Sequence, residues 1–254
     1  MLKSCSVIIA TYNEVENVEP LLKKLTEVLD TEQRIFEIII VDDNSPDKTF
    51  EKLLSLSHEY KTLRPVLRKS DYGLGPSVWD GLRAAKYETI VIMDSDLSHC
   101  PNEIPEMLRY LEKGKIMAFG SRYIIGGRIE ESSKNSVQYL LSKLFNILIK
   151  KLLNIPVLDT TNGFFAFRSK ILQLGNFKNC FRGYGDFSFL FLYTIIKNNI
   201  IKPSEVIELP SIYKQRIAGQ SKTKLLKVGV NYSLIALKAR FLNSTAIESN
   251  KDLN

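Results

Sequence analysis

The sequence predicts an α/β fold in which a mostly parallel, twisted sheet is flanked by helices. Two observations support this prediction. Short apolar segments alternate with segments whose apolar residues recur at helical spacing. A polar cluster also follows each of the first four apolar segments, as expected where parallel strands end at one edge of a sheet. The chain has 254 residues, 44% of them apolar, which is enough for one large core.

The predicted strands share a short apolar run bounded by polar or turn-forming residues. They are residues 6–10, 36–41, 65–68, 90–93, 116–121 and 206–209, with an aromatic strand entered from the loop within residues 160–168. Helices are predicted after the first three strands and at residues 136–153, 187–196 and 225–242. Strands that alternate with helices imply right-handed crossovers and a sheet buried on both faces.

Four polar clusters are predicted to meet at one edge of this sheet. They lie at residues 11–14, 42–47, 72–75 and 94–99, each directly after a strand. Ligands of open α/β sheets bind outside the carboxyl ends of the strands. The clusters are rich in acids, and glycines at 73 and 75 permit close approach of backbone to a ligand. We therefore expect a nucleotide site at this edge.

Asp94 and Asp96 form the cluster with the clearest chemistry. Residues two apart on an extended chain point the same way, so both carboxylates are predicted to address one point. A hard divalent cation would relieve their repulsion. The alternative is a strand-to-helix turn in which one Asp caps the helix that begins near Pro101.

The net charge of +7 is unevenly distributed. Residues 1–120 hold 15 basic and 20 acidic side chains, whereas residues 121–254 hold 20 and 8. The basic half is expected to face an anionic partner, and composition alone does not choose among nucleic acid, a phosphorylated ligand and an acidic membrane surface. No nucleic-acid-binding motif is present, so no nucleic acid partner is expected.

Two C-terminal segments are candidates for membrane contact. Residues 136–153 are apolar over much of a helical surface and contain lysines but no acid, so they predict a buried helix or one lying in a membrane interface. Residues 225–254 predict an amphipathic helix followed by a polar tail. No apolar run is long enough to span a bilayer, and no signal peptide is evident, so a cytoplasmic protein is expected.

Six motifs, in order, resemble those of the inverting nucleotide-sugar glycosyltransferases of the type A fold, and among them the polyprenyl (dolichyl) phosphate mannose synthases. The resemblance spans about Val7 to Lys222. The matching segments are Thr11-Tyr12-Asn13-Glu14, Val41 to Pro46, Asp94 to His99, Gly120 to Tyr123 followed by Gly126-Gly127, Thr161-Asn162-Gly163-Phe164, and Arg216 to Lys222.

The resemblance implies a role for each matched position. It places Asp94, Asp96 and Ser98 at a Mg²⁺ or Mn²⁺ ion and makes Asp94, Asp96 and Arg122 the catalytic residues. It assigns the donor nucleotide to Ala10, Tyr12, Glu14, Asp42, Asp43, Arg216 and Lys222. It assigns the acceptor phosphate to Arg122, Lys134, Ser142 and Lys143.

Three positions depart from the pattern of this family. Ala10 stands where proline is usual, Gln138 where many members have a second acceptor-side arginine, and Leu190 where many have an acid. The first departure concerns the stiffness of a loop. The other two concern the acceptor, for which Lys134 or Lys143 would replace the missing arginine.

The implied activity is metal-dependent transfer of a hexose, mannose from GDP-mannose, to a polyprenyl phosphate by a protein held peripherally on the cytosolic face of a membrane. The alternatives are transfer of glucose from UDP-glucose, a non-lipid acceptor, and a catalytically silent nucleotide-binding or membrane-recruitment module. A nucleotidyltransferase is disfavoured because no glycine-rich phosphate loop follows the first strand. Membrane contact is direct or uses a separate membrane subunit.

This interpretation divides the chain into two parts. Residues 1–224 are expected to form a single catalytic domain, with a nucleotide-binding half at 1–120 and an acceptor half at 121–224. Residues 225–254 are expected to form the amphipathic helix and tail.

Overall fold

The computed structural model describes residues 4–130, 136–214 and 225–241. Its elements follow the predicted alternation of strands and helices, with boundaries within a few residues of those expected. The strands are β1 Ser4–Thr11, β2 Ile35–Asp42, β3 Leu63–Leu67, β4 Thr89–Asp94, β5 Met117–Ser121, β6 Arg128–Ile129, β7 Phe165–Arg168, β8 Val206–Pro210 and β9 Ile212–Tyr213. The helices are α1 Val18–Thr31, α2 Thr49–Glu59, α3 Leu74–Ala84, α4 Ile104–Glu112, α5 Ser136–Leu153, α6 Phe187–Lys197 and α7 Leu225–Phe241.

Seven strands form one sheet in the order β3-β2-β1-β4-β7-β5-β8. All neighbouring pairs are parallel except those of β7, which runs antiparallel to both β4 and β5. The predicted α/β fold with a mostly parallel sheet is therefore confirmed. A separate two-stranded parallel ladder joins β6 to β9. It brings the segment after β5 beside the segment after β8.

Both faces of the sheet are buried, as the continuous apolar strands predicted. Alternate residues of β1 point to opposite sides, so Ile8 packs in the core beneath α3 and α6 while Val7 and Ile9 pack with the leucines of α1. Helix α3 lies especially close to the sheet. A Cβ atom on Gly81 would come within 2.4 Å of the Ile8 side chain, so glycine is needed for this approach.

Helices α5 and α7 pack against each other at the C-terminal side of the molecule. A Cβ atom on Gly229 of α7 would lie 2.5 Å from the ring of Phe145, which shows how closely the two helices approach. Each helix also has an outer face with exposed apolar side chains. Helix α5 is thus neither wholly buried nor wholly exposed: Ile149 and Leu153 are in the core, while Leu144 and Leu148 are about half exposed.

Within the described part of the chain, none of the helices is both long enough and apolar enough to cross a bilayer.

Candidate active site

The turns that follow β1 and β2 are joined by hydrogen bonds at the carboxyl edge of the sheet. The backbone N–H of Asn13 donates to Ser45 Oγ at 2.9 Å, and that of Glu14 donates to Thr49 Oγ1 at 3.0 Å. Ala10, at the end of β1, is the register partner of Asp94 on β4. The predicted convergence of the polar clusters is therefore present in the structure.

Two of the predicted donor-binding side chains are at least partly exposed to solvent. Tyr12 is 45% exposed at this edge, and Glu14 is partly buried and accepts a hydrogen bond from Asn17 Nδ2. Their positions after β1 suit contact with a ligand lying across the strand ends.

Asp42 and Asp43 are both engaged by protein groups. Asp42 is fully buried and accepts hydrogen bonds from the N–H and hydroxyl of Ser45, at 2.9 and 2.5 Å. Burial raises the pKa of Asp42 in spite of these bonds. Asp43 accepts from Arg68 Nη1 at 2.7 Å and from the N–H of Gly73 at 2.6 Å. These carboxylates therefore shape the turns that follow β2 and β3, the turns to which the donor nucleotide was assigned.

The Asp94 and Asp96 motif lies on a turn, because β4 ends at Asp94. Leu97 has a left-handed backbone with φ of 62°, and the Ser98 N–H donates to Asp96 Oδ1 at 3.0 Å. Asp96 is almost completely buried, whereas the Asp94 side chain is 41% exposed. The expectation of an extended chain at Asp96 is wrong, so any convergence of the two carboxylates comes from the turn.

His99 supports Asp94 from beneath the turn. Its Nδ1 accepts a hydrogen bond from the Asp94 backbone N–H at 3.1 Å, which leaves the proton on Nε2. Nε2 lies 3.7 Å from Asp94 Oδ2, and the ring stacks on Phe164 at 5.0 Å between centroids. Asp94 is thus held by a hydrogen bond at its backbone, and its carboxylate lies near the imidazole.

The turn fits a divalent cation that is coordinated partly by protein oxygens and partly by a substrate. Among residues 4–130, 136–214 and 225–241, no group of three His, Cys, Asp or Glu side chains is placed to hold a metal alone. Mg²⁺ is commonly bound by one or two carboxylates with substrate phosphates and water. Ser98 Oγ is buried and has no hydrogen-bond partner of good geometry among the described residues, although the Tyr213 hydroxyl lies beside it. Oxygen ligands are therefore available here.

Arg122, directly after β5, is held by Asp159. Its Nε and Nη2 donate to the two carboxylate oxygens at 2.8 and 2.7 Å, and its backbone N–H donates to Asp159 Oδ2 at 2.9 Å. Burial acts to lower the pKa of Arg122, but the charge and hydrogen bonds of Asp159 outweigh it and the pKa is raised. The guanidinium also lies 5.1 and 5.4 Å from the ring centres of Tyr123 and Tyr213.

Asp159 is itself positioned by neighbouring elements. The backbone N–H groups of Leu158 and Asp159 donate to the Glu208 carboxylate of β8 at 2.8 to 2.9 Å. Asn146 of α5 then binds the next residues, accepting from Thr160 Oγ1 at 2.7 Å and from the Thr161 N–H at 3.0 Å. The loop that carries Asp159 is therefore fixed from two sides.

The remaining predicted acceptor residues are on α5. Ser142 Oγ accepts a hydrogen bond from the Tyr123 hydroxyl at 2.7 Å, so this serine is linked to the residue after Arg122. Lys143 is half-buried, and Gln138 is exposed. Lys134, Arg216 and Lys222 lie outside the described residues.

A buried acid occupies the start of α6. Asp186 precedes this helix, is 4% exposed, and has one carboxylate oxygen with no hydrogen-bond partner among the described residues. Burial raises its pKa. Leu190, the position at which the resembled family often has an acid, is buried among the core residues. The acid of this region thus lies four residues earlier in this chain.

Sequence reasoning did not single out Arg68, His99, Asp159 or Asp186 as site residues. Arg68 directly follows β3, so the edge rule that identified Asp94 applied to it as well. The partnership of Arg122 with Asp159 joins residues 37 positions apart and leaves no local signal in the sequence.

Residues 6–175 match the profile of the family described as Glycosyl transferase family 2. The chain belongs to this family. The resemblance found in the motifs is thereby confirmed at family level, and the predicted glycosyltransferase class with it.

Two relatives carry the same name. The dolichol-phosphate mannosyltransferase of Pyrococcus furiosus is 35% identical over 223 residues, which cover 86% of this chain and 59% of the relative. That of Mycosarcoma maydis is 28% identical over 223 residues, which cover 86% of this chain and 73% of the relative. The chain therefore spans about three fifths of the length of the P. furiosus protein.

Solved structures confirm the fold. Glucosyl-3-phosphoglycerate synthase of Mycobacterium tuberculosis in complex with Mn²⁺, UDP and glucosyl-3-phosphoglycerate has a TM-score of 0.67 and 18% identity, covering 98% of this chain and 82% of that one. The same enzyme with Mn²⁺, UDP-glucose and phosphoglyceric acid gives 0.68 at the same identity and coverage. At this identity the similarity concerns the fold alone.

Proposed function

We propose that the protein transfers a hexose, mannose from GDP-mannose, to a polyprenyl phosphate with inversion at the anomeric carbon. The arrangement around Tyr213 carries this proposal. Its ring centre lies 5.4 Å from the Arg122 guanidinium carbon and 5.8 Å from the ring of His99, the residue that holds Asp94. A cation suited to an acceptor phosphate and a carboxylate turn suited to a donor diphosphate therefore flank one side chain.

The relatives support the choice of sugar and acceptor. The P. furiosus and M. maydis proteins are both named dolichol-phosphate mannosyltransferases, and each match extends over 86% of this chain. The carboxylates Asp42 and Asp43, which were assigned to the donor, are engaged by protein groups, so both GDP-mannose and UDP-glucose are offered as donors in the activity assay.

Asp94 and Asp96, with the Ser98 hydroxyl, would hold Mg²⁺ or Mn²⁺ in this reaction. When bound, the ion supplies stabilisation of the charge that develops on the diphosphate as the glycosyl bond breaks. Arg122 binds and orients the acceptor phosphate. That phosphate is largely ionised near neutral pH, so its oxygen attacks without a general base and alignment limits the rate. Direct displacement inverts the anomeric centre.

The outer faces of α5 and α7 support peripheral binding to a membrane, which we place at its cytosolic face. Each face has a stripe of exposed apolar side chains at helical spacing. The stripes consist of Val137, Leu140, Leu144 and Leu148 on α5 and of Val230, Leu234, Leu237 and Phe241 on α7. Neither helix contains an acidic residue, and basic residues accompany both. Apolar stripes with basic neighbours suit an interface with anionic lipid.

Removing apolar side chains from the α5 stripe is expected to weaken membrane binding. Each of these leucines is about half exposed, so burying its exposed part in the membrane contributes on the order of 1 kcal/mol or more. Leu144→Ser/Leu148→Ser should therefore weaken binding to phosphatidylserine-containing vesicles at least about tenfold. Flotation of the protein with vesicles measures this. The matched control is Leu54→Ser/Leu174→Ser, which removes two similarly exposed leucines elsewhere. Equal flotation of both double variants would contradict direct docking and favour a separate membrane subunit.

A donor and acceptor scan tests the proposed activity. The purified protein with Mg²⁺ or Mn²⁺ is expected to transfer labelled mannose from GDP-mannose to a short polyprenyl phosphate, giving an organic-extractable product. Transfer from UDP-glucose alone would replace mannose with glucose. Transfer to a soluble acceptor would exclude the lipid. Donor binding without any turnover would indicate a catalytically silent module.

A further inference from the structure

Arg68 lies at the centre of a buried polar network beside the donor-side turns. It directly follows β3, and its side chain is only 5% exposed. Nη1 donates to Asp43 Oδ1 at 2.7 Å and to Ser77 Oγ at 3.3 Å, while Nε donates to Asp80 Oδ2 at 2.7 Å. Nη2 donates to the backbone carbonyl of Asp71 at 2.7 Å. One side chain thus links the residues that follow β2 and β3 to α3, the helix that connects β3 to β4.

We propose that Arg68 is the positioning residue of the donor-nucleotide site: it fixes Asp43 and the turn at residues 71–73 in the arrangement that receives the nucleotide, without contacting the nucleotide itself. This inference rests on the proposed function, because it assumes that the donor lies at these turns.

The donor groups of the guanidinium support a positioning role over direct binding. A guanidinium has five N–H groups and no acceptor. Four of those of Arg68 are used by Asp43, Ser77, Asp80 and the Asp71 carbonyl, and the side chain is almost wholly buried. A buried arginine with four of its five donors already used has little left to offer a ligand, whereas its rigid fork fixes the planes of the groups around it.

The network reaches exposed parts of the donor edge through Asp43 and the turn. The second oxygen of Asp43 accepts from the Gly73 N–H at 2.6 Å, so the carboxylate bridges Arg68 and the turn. Asp71 and Gly73 have positive φ values of 54° and 143°, conformations that need such support. Between them Tyr72 is half exposed, and its hydroxyl lies 3.4 Å from Asn44 Nδ2 of the turn after β2. Loss of Arg68 therefore loosens both turns together.

Strand β3, which Arg68 directly follows, offers a matched control. Arg64 of β3 is also paired with a buried carboxylate, that of Glu37, and donates to the Ala84 carbonyl at 2.8 Å. Glu37 pairs in register with Ser6 near the start of β1, at the opposite edge of the sheet from the donor turns. Removing Arg64 tests the cost of losing an arginine that pairs with a buried carboxylate in this region, without touching the donor edge.

The experiment compares Arg68→Met, Arg68→Lys and Arg64→Met in the full chain. Calorimetry measures binding of GDP and UDP without lipid, and the transfer assay gives KM for each substrate and kcat. Arg68→Met is expected to raise the nucleotide Kd and the donor KM at least about tenfold, because small misplacements of site groups have effects of this order. The kcat at saturating donor and the KM for polyprenyl phosphate should stay within about twofold. Arg68→Lys should fall between wild type and Arg68→Met, because lysine keeps the charge but not the fork.

The control and a second variant separate positioning from folding. Arg64→Met is expected to lower Tm and leave the nucleotide Kd unchanged. Arg68→Met leaves the Asp43 charge without its cationic partner, so Asp43→Asn/Arg68→Met, which removes that charge, should recover Tm. Because Asp43 is itself assigned to the donor, nucleotide affinity is compared among wild type, Arg68→Met and Arg64→Met. If wild type binds the nucleotide and folded Arg68→Met binds it with the same Kd, this inference is overturned while the proposed function stands. If wild type bound neither nucleotide, the inference and the proposed function would both be wrong.

Discussion

Asp96→Asn is expected to reduce transfer at saturating substrates by at least about 10³-fold, because it removes a charge that would bind the metal and leaves the turn intact. Asparagine keeps an oxygen that accepts the Ser98 N–H, the bond that holds Asp96 Oδ1 at 3.0 Å. The other oxygen becomes an amide nitrogen, which does not bind a cation. Electrostatic stabilisation at such sites contributes several kcal/mol, and each 1.36 kcal/mol is a factor of ten in rate.

A titration with Mg²⁺ and Mn²⁺ distinguishes loss of the ion from loss of structure. The D96N protein should need far more metal for its residual activity. Its Tm without metal should stay at or above that of wild type, because burying a neutral asparagine at position 96 costs less than burying a carboxylate. Asp30→Asn, an exposed substitution on α1, is the control and should change neither quantity. If D96N were as active as wild type without added metal, the assignment of this turn to the metal would be contradicted.

The sequence predicted the edge at which the site lies because that prediction depends only on local patterns. Apolar runs mark the strands, and the polar residues after Ala10, Val41 and Met93 fall at strand ends in any parallel arrangement. The largely apolar surface of α5 was likewise predicted from helical spacing, with a buried helix and an interfacial helix as the two alternatives. Its division into a buried and an exposed face required knowledge of what packs against it.

The parts that escaped prediction depend on contacts between distant residues. Phe165 to Arg168 were expected as a strand, but their antiparallel insertion between β4 and β5 is set by tertiary packing. The end of the strand before Asp94 was predicted to within one residue, but the chain was expected to stay extended to Asp96, and the turn at residues 95–97 is not evident from apolar spacing. Asp43 was assigned to the donor nucleotide, but the contacts of its two oxygens with Arg68 and Gly73 were not predicted.

Asp159→Asn is expected to raise the KM for polyprenyl phosphate by about 10²-fold, because Arg122 loses the partner that orients it. The pair is buried and bidentate, at 2.8 and 2.7 Å, and Asp159 also accepts the Arg122 backbone N–H. Breaking a buried pair typically costs about 3 to 5 kcal/mol, so Tm should fall as well. Nucleotide affinity should remain unchanged, because the donor-side turns make no use of this pair.

A surface ion pair provides the control. Glu32→Gln removes the partner of Arg109, an exposed pair at 3.5 Å, and should alter neither Tm nor either KM appreciably.

The sign of the change in the lipid KM decides between two effects of Asp159→Asn. Loss of a negative charge beside the acceptor favours phosphate binding, whereas loss of the fork-to-carboxylate geometry weakens it. Orientation dominates if the lipid KM rises; a fall in the lipid KM would show that Asp159 acts mainly through its charge.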